Sequence, residues 1–210
     1  MTNVSSVTSR YTQRFNLVLK RLDVELREFL ENLVGESEFV CKISTRPKKI
    51  SSFIKKAEQV CEDGQLKYVD PLSEIQDQIG ALIVTRFLSD VSFVEASIHR
   101  MLRRIERRVI EPESEYEFGY VGRHFILFLP TDITSHFEGE DFPDFFELQI
   151  KTLFQYAWSE TNHAIGYKRH DELSPEQKRL TSYVAAQAWG ADRAVEELRS
   201  EFAIGGTHNA

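Results

Sequence analysis

Glu147-Leu148-Gln149-Ile150-Lys151-Thr152 sets an acid and an amide two residues apart among apolar neighbours. Side chains two apart on a strand share a face, so this spacing predicts a buried β-strand with Glu147 and Gln149 on one side and Leu148 and Ile150 on the other. Burying a carboxylate is costly unless a metal ion or a cation partners it. Taken alone, the segment also suits an edge strand whose Glu faces water. What lies upstream tilts the balance: a second acid, a Gly-Tyr turn and a basic cluster, in that chain.

Working outward, Ala81-Leu-Ile-Val-Thr-Arg-Phe87 is apolar and β-branched, as a core strand is. Further strands are expected at Phe125–Leu129 and Phe145–Ile150, with a short one around Val109-Ile110. Phe15, Val18, Leu19, Leu22, Leu26, Phe29, Leu30 and Leu33 recur at helical spacing and predict a long amphipathic helix stopping near Gly35. Other helices are predicted over Ser51–Cys61, opened by Ser51 or Ser52 near its cap, and over Val91–Arg107, Leu153–Ile165 and Ser174–Phe202. Glu111–Glu117 reads as an acidic loop and Gly205–Ala210 as a frayed tail. The expected fold is α/β (α+β): a mixed β-sheet flanked by helices, with long N- and C-terminal helices. It forms one domain over 1–210, with an N-terminal helix to 40, a core over 41–170, a C-terminal helix over 171–204 and the tail.

The chain has 210 residues, 41% hydrophobic and 28% charged, which suits a folded domain rather than a disordered one. No apolar run approaches the roughly 20 residues of a membrane helix, and MTNVSSVTSRYTQRF lacks a signal-peptide core. Cys41 and Cys61 show no metal-ligand spacing, so a cytoplasmic protein with free thiols is expected. A net charge of −7 argues against unspecific binding to a nucleic-acid backbone. Yet positive charge is clustered at Arg46/Lys48/Lys49/Lys55/Lys56 and at Arg100/Arg103/Arg104/Arg107/Arg108, which suits a small polyanion.

The first cluster runs into a helix N-terminus, where free N–H groups add to the charge and favour phosphate. Ser52 and Lys56 are four apart and share a helical face. Asp77 precedes the Ala81–Phe87 strand, and with Glu147 it forms the sort of carboxylate pair that holds magnesium, whose shell is completed by water and substrate phosphates. The plainer readings are a solvated basic surface, a turn acid at Asp77 and a bend at Gly80. Gly119-Tyr-Val-Gly-Arg-His124 offers an aromatic face for a nucleobase and donors in Arg123 and His124; it also suits a surface hairpin. Trp158 reads as core, and His163 suits either role.

In order and spacing these pieces resemble the synthetase domain of the RelA/SpoT family, in its short single-domain form. The R-x-K-x-x-x-S-x-x-x-K pattern falls on Arg46, Lys48, Ser52 and Lys56, and D-x-x-G on Asp77 and Gly80. G-Y-x-x-x-H falls on Gly119, Tyr120 and His124, and E-x-Q-x-[RK]-T on Glu147, Gln149, Lys151 and Thr152. The W…H…Y-K helix is Trp158, His163, Tyr167 and Lys168. The resemblance covers roughly residues 40–170, with no room for a separate hydrolase domain. It implies a nucleotidyltransferase-like sheet and transfer of the β,γ-pyrophosphate of ATP to the 3′-hydroxyl of GDP or GTP, giving AMP and (p)ppGpp. Asp77 and Glu147 would then hold magnesium, with Glu147 accepting the hydroxyl proton. Arg46, Lys48, Ser52 and Lys56 would hold the donor triphosphate. Tyr120 would stack on the acceptor base, with His124, Gln149, Lys151 and His163 near acceptor phosphates and sugar.

The chain departs from that pattern where bases are read. Leu82 stands in place of an adenine-packing Arg, with Arg86 four residues on as the substitute. Gly122 replaces the loop Ser, and Asn162 the acid before the helix His. The acceptor is therefore open between a guanine nucleotide, an adenine nucleotide and a tRNA 3′ end, for which His99–Arg108, read as a basic helix, is the contact surface. A non-catalytic nucleotide-binding module is the alternative. Assembly through the terminal helices is compatible with the Phe15–Leu33 stripe, as is packing of that stripe on its own sheet.

Overall fold

The computed structural model describes residues 4–110, 112, 114, 117–119, 122–165 and 173–205, excluding the side chains of residues 4 and 203–205. Its centre is a five-stranded sheet of β1 (Val40–Pro47), β2 (Ile79–Thr85), β3 (Arg104–Ile110), β4 (Gly122–Phe128) and β5 (Phe145–Thr152), in the order β1-β2-β5-β4-β3. β2 and β5 are parallel and the other neighbours antiparallel, so the sheet is mixed, as expected.

Alternation along the strands makes two unlike faces. Ile83, Phe125, Leu127, Phe146, Leu148 and Ile150 are buried on one. It is covered by α2 (Lys20–Leu30) and α5 (Leu88–Met101). The other face carries Arg46, Gly80, Leu82, His124, Glu147, Gln149 and Lys151, brought side by side by the register. Arg46 lies opposite Gly80, Gly80 opposite Glu147, and Leu82 and His124 both opposite Gln149.

The N-terminal helix begins before the expected Phe15. α1 (Val4–Arg14) and α2 are joined by a π-helical turn, Phe15–Leu19, and a second, Glu31–Gly35, follows α2. The buried residues Val18, Leu22, Leu26, Leu30 and Val34 recur every four positions. In a plain α-helix a four-residue step drifts about 40° around the axis. The wider π turns unwind that drift and keep the stripe facing the sheet.

Three expectations about elements need correction. The helix predicted over Val91–Arg107 ends at Met101, and Leu102 is already extended. Arg104, Arg107 and Arg108 therefore lie on edge strand β3, where β-branched Ile105, Val109 and Ile110 favour a strand and exposed charge deters stray pairing. The basic helix invoked for tRNA contact is thus not a helix over its arginine-rich part. Its charges are also engaged, Arg107 with Glu95 at 2.7 Å and Arg108 with Glu106 at 2.5 Å. β1 is not among the expected strands, because its basic residues interrupt the β-branched pattern of Val40, Ile43 and Thr45. Finally, α3 (Ile50–Ala57) stops before Cys61 and is entered through Lys49, without a side-chain cap. Ser51 and Ser52 lie inside its first turn. The remaining elements are α4 (Pro71–Glu74), α6 (Thr131–Thr134) with a 3₁₀ turn over Ser135–Phe137, α7 (Leu153–Ile165) and α8 (Pro175–Gly205). No helix among the described residues is long and apolar enough to cross a membrane.

Candidate active site

Where β1 leaves the sheet, Pro47 ends the pairing and Lys48 N–H donates to the Gln78 carbonyl at 2.8 Å. That bond ties the entry to α3 to the entry to β2 and brings two lysines onto one acid. Lys48 Nζ lies 2.8 Å and Lys56 Nζ 3.0 Å from Asp77 Oδ2. Burial pushes the Asp77 carboxyl up, but the two ammonium groups outweigh it and hold it below the usual aspartate range. Asp77 Oδ1 is buried with no hydrogen-bond partner among the described residues.

The second acid stands on β5, whose residue Glu147 pairs with Gly80, three positions after Asp77. His124 Nδ1 lies 3.0 Å from Glu147 Oε1, and Gln149 Nε2 donates to Oε2 at 3.2 Å. Burial raises the Glu147 carboxyl and Asp77 adds repulsion, yet the His124 contact, with help from Gln149, leaves it below the usual glutamate value. The two acids feel each other's charge and both are ionised at neutral pH. Gly80 between them presents no side chain; a Cβ there would meet nothing closer than the Arg46 carbonyl at 4.0 Å. Its role on this face is to leave space rather than to bend the backbone.

Lys151, two residues beyond Gln149, is buried and donates to Ser159 Oγ of α7 at 3.2 Å. Burial brings its ammonium down to about 8, against the pull of Glu160 and Glu147 and with repulsion from Arg46. Arg46 itself is exposed on the same sheet face, and half-buried Ser52 sits in the first turn of α3.

Several residues that sequence reasoning missed hold this arrangement. Tyr11 stacks on Phe53 of α3, ring centroids 3.6 Å apart, and its hydroxyl donates to the Lys48 carbonyl at 2.7 Å. Arg14, 4% exposed in its side chain, donates to the Leu72 carbonyl and to Gln78 Oε1 and pairs with Asp141. Gln78 in turn donates to the carbonyls of Leu72 and Ile75. The turn carrying Asp77 is thereby clamped to the N-terminal helix. The one signal in the sequence was an arginine in the apolar stripe, a turn before Val18.

Not every expected residue joins the cluster. Arg86 lies at the far end of β2, where its guanidinium donates to the Glu38 carbonyl. His163 is exposed on the last turn of α7. Tyr120, Tyr167 and Lys168 lie outside the described residues.

Among the described residues no three His, Cys, Asp or Glu side chains gather as a metal cage. The donor set is a pair of hard carboxylates, one with an unpartnered oxygen. That fits magnesium, which takes one or two protein carboxylates and keeps water and phosphate for the rest.

Comparison with known proteins gives a consistent picture. The family model for the region found in RelA / SpoT proteins matches residues 45–172. A curated relative, GTP pyrophosphokinase YjbM of Bacillus subtilis (strain 168), is 27% identical over 158 residues, 72% of each chain. Among solved structures, small alarmone synthetase 1 from Bacillus subtilis bound to its product pppGpp superposes with a TM-score of 0.74 at 20% identity, covering 92% of this chain and 99% of that one. A GTP pyrophosphokinase family protein from Streptococcus pneumoniae gives 0.67 at 20% identity, covering 92% and 93%.

Proposed function

Because the chain belongs to the RelA/SpoT family, we propose that it is a pyrophosphokinase moving the β,γ-pyrophosphate of ATP to the 3′-hydroxyl of GDP or GTP. The observation that carries this is the ionised carboxylate pair Asp77 and Glu147, set beside Lys48 and Lys56 on one open sheet face. In the reaction the 3′-oxygen attacks the β-phosphorus of ATP and the bridging bond to the α-phosphate breaks. AMP leaves, and the hydroxyl proton passes to Glu147.

Such transfer asks for alignment and charge neutralisation more than for covalent chemistry. Lys48 and Lys56, with Arg46 and the uncapped N-terminus of α3 near Ser52, would receive the triphosphate. In the free protein the lysines neutralise Asp77; a triphosphate would draw them off and release that carboxylate. Asp77 and Glu147 would hold magnesium, which supplies charge neutralisation on the transferred phosphates. Glu147 is oriented by His124 and Gln149, so its oxygens do not wander from the attacking hydroxyl. Lys151, with Gln149 and His124, faces the acceptor, and Tyr120 would cover its base.

The test is incubation with magnesium and γ-labelled ATP plus GDP, GTP, ADP, ATP or deacylated tRNA in turn. Label moving onto a guanine nucleotide, matched by AMP, supports the reading in full. Label on an adenine nucleotide or tRNA keeps the chemistry and changes the acceptor. Absence of transfer to every acceptor leaves a nucleotide-binding module, the alternative that Leu82 on this face motivates.

A further inference from the structure

At the end of β5, Thr152 points away from Glu147, to the opposite side of the sheet. Its hydroxyl donates at 2.7 Å to Oδ2 of Asp192, on α8. Asp192 is 2% exposed, and its Oδ1 has no hydrogen-bond partner among the described residues. A buried acceptor left unsatisfied costs stability, so its place in the fold calls for a reason. Asp192 lines a half-open cavity of about 800 Å³ between α5, α7, α8 and the outer strands.

The rest of that lining is specific in chemistry. Phe118, Trp158 and Trp189 supply aromatic surface, and Phe118 meets Trp189 edge-on with centroids 5.7 Å apart. Arg193 lies over the Trp189 ring at 4.2 Å. Arg107 shares the single carboxylate of Glu95 with a second arginine, Arg123, so one positive charge is left over at that end, while Glu117 lies elsewhere in the lining.

We propose that this cavity is a second ligand site, separate from the Glu147 face, and that it takes a purine nucleotide. The ring lies against the aromatic wall, a ring N–H or exocyclic amine donates to Asp192, and the phosphate meets Arg107 and Arg193. Each part answers a feature that a simpler ligand leaves unused. An apolar molecule leaves the carboxylate unpartnered, and inorganic phosphate leaves the aromatic wall bare. A nucleotide offers π-face, N–H donors and anion together. The volume lies within the range of ordinary ligand pockets. Burial also raises the Asp192 carboxyl to about 6, so the contact is sensitive to pH near neutrality.

The chain has two tryptophans, and both line this cavity, so their fluorescence reports on it directly. The readout is binding, so it stands apart from any pyrophosphoryl transfer. The protein is titrated with GMP, AMP and guanosine in EDTA. The expected result is saturable quenching by GMP or AMP, with guanosine at least tenfold weaker. Asp192→Asn keeps the shape and an acceptor for Thr152 but turns a donor toward the ligand; it should weaken binding at least tenfold. The exposed-site variant Arg193→Gln should weaken it at least threefold and carries no folding risk. His124→Ala, on the other face, should leave the curve unchanged. The inference is overturned by no saturable change at millimolar nucleotide, by equal affinities in wild type, Asp192→Asn and Arg193→Gln, by guanosine binding as well as GMP, or by loss in His124→Ala.

Discussion

Glu147 can accept a proton only while ionised and aimed, and its two neighbours secure both conditions: His124 and Gln149 each hold one of its oxygens. Glu147→Gln keeps the shape and removes the charge. Transfer should fall by about 10²-fold or more, while ATP affinity measured by equilibrium binding stays within a few-fold. Lys151 gives a second, independent prediction. Its ammonium titrates at about 8 because burial disfavours the charge. The cation is present below that pH and lost above it, so the acceptor KM should climb as pH passes through about 8. Arg stays charged throughout, so Lys151→Arg should flatten that limb; an unchanged alkaline limb in the variant would remove Lys151 from the site. Glu147 and Gln149 were legible because alternation along one strand already put them on one face, while Lys151 came with the resemblance to the family motif. Tyr11, Arg14 and Gln78 were not, since their partners lie far along the chain and no local pattern encodes such contacts.

Among the elements, the N-terminal helix does more than cover the sheet. Arg14 reaches from it to the turn that carries Asp77, and truncation leaves buried Gln78 Oε1 without its donor and the Leu72 carbonyl with Gln78 Nε2 alone. Arg14→Ala should cost about 2–3 kcal/mol in urea unfolding and lower kcat as Asp77 loses its position. α8 makes the opposite case. Asp192 carries its charge at a cost, because burial raises the folded pKa to about 6 from 3.8. That cost is absent while the group is protonated in both states and grows as pH rises between those values. Asp192→Asn should therefore stabilise the protein at pH 7 by about 2 kcal/mol, with the gain fading as pH falls from 6 toward 4, read from melting curves across that range. Strands β2 and β5 were plain from their apolar runs. β3 was legible only at Val109-Ile110, and its arginine-rich start, like all of β1, was hidden because edge strands carry charge, and charge-rich sequence reads equally well as a helix face.

For the whole molecule, one sheet carries two differently built faces. On one, half-buried carboxylates and cations gather around Gly80; on the other, apolar residues give way at the end of β5 to a cavity lined by both tryptophans. The mixed topology brings the first face together, since β2 and β5 run parallel and set Asp77 near Glu147, while antiparallel β4 returns His124 to the same place. On the proposed function, this face breaks the α,β-bridge of ATP and delivers the pyrophosphate to a ribose 3′-oxygen. Phosphorus NMR of a reaction holding the protein, magnesium, ATP and GDP tests it most directly. AMP and a nucleoside 3′-diphosphate should appear in equal amounts, with neither seen for Glu147→Gln. ADP with inorganic phosphate in their place, or a Glu147→Gln spectrum matching the wild type, would contradict it.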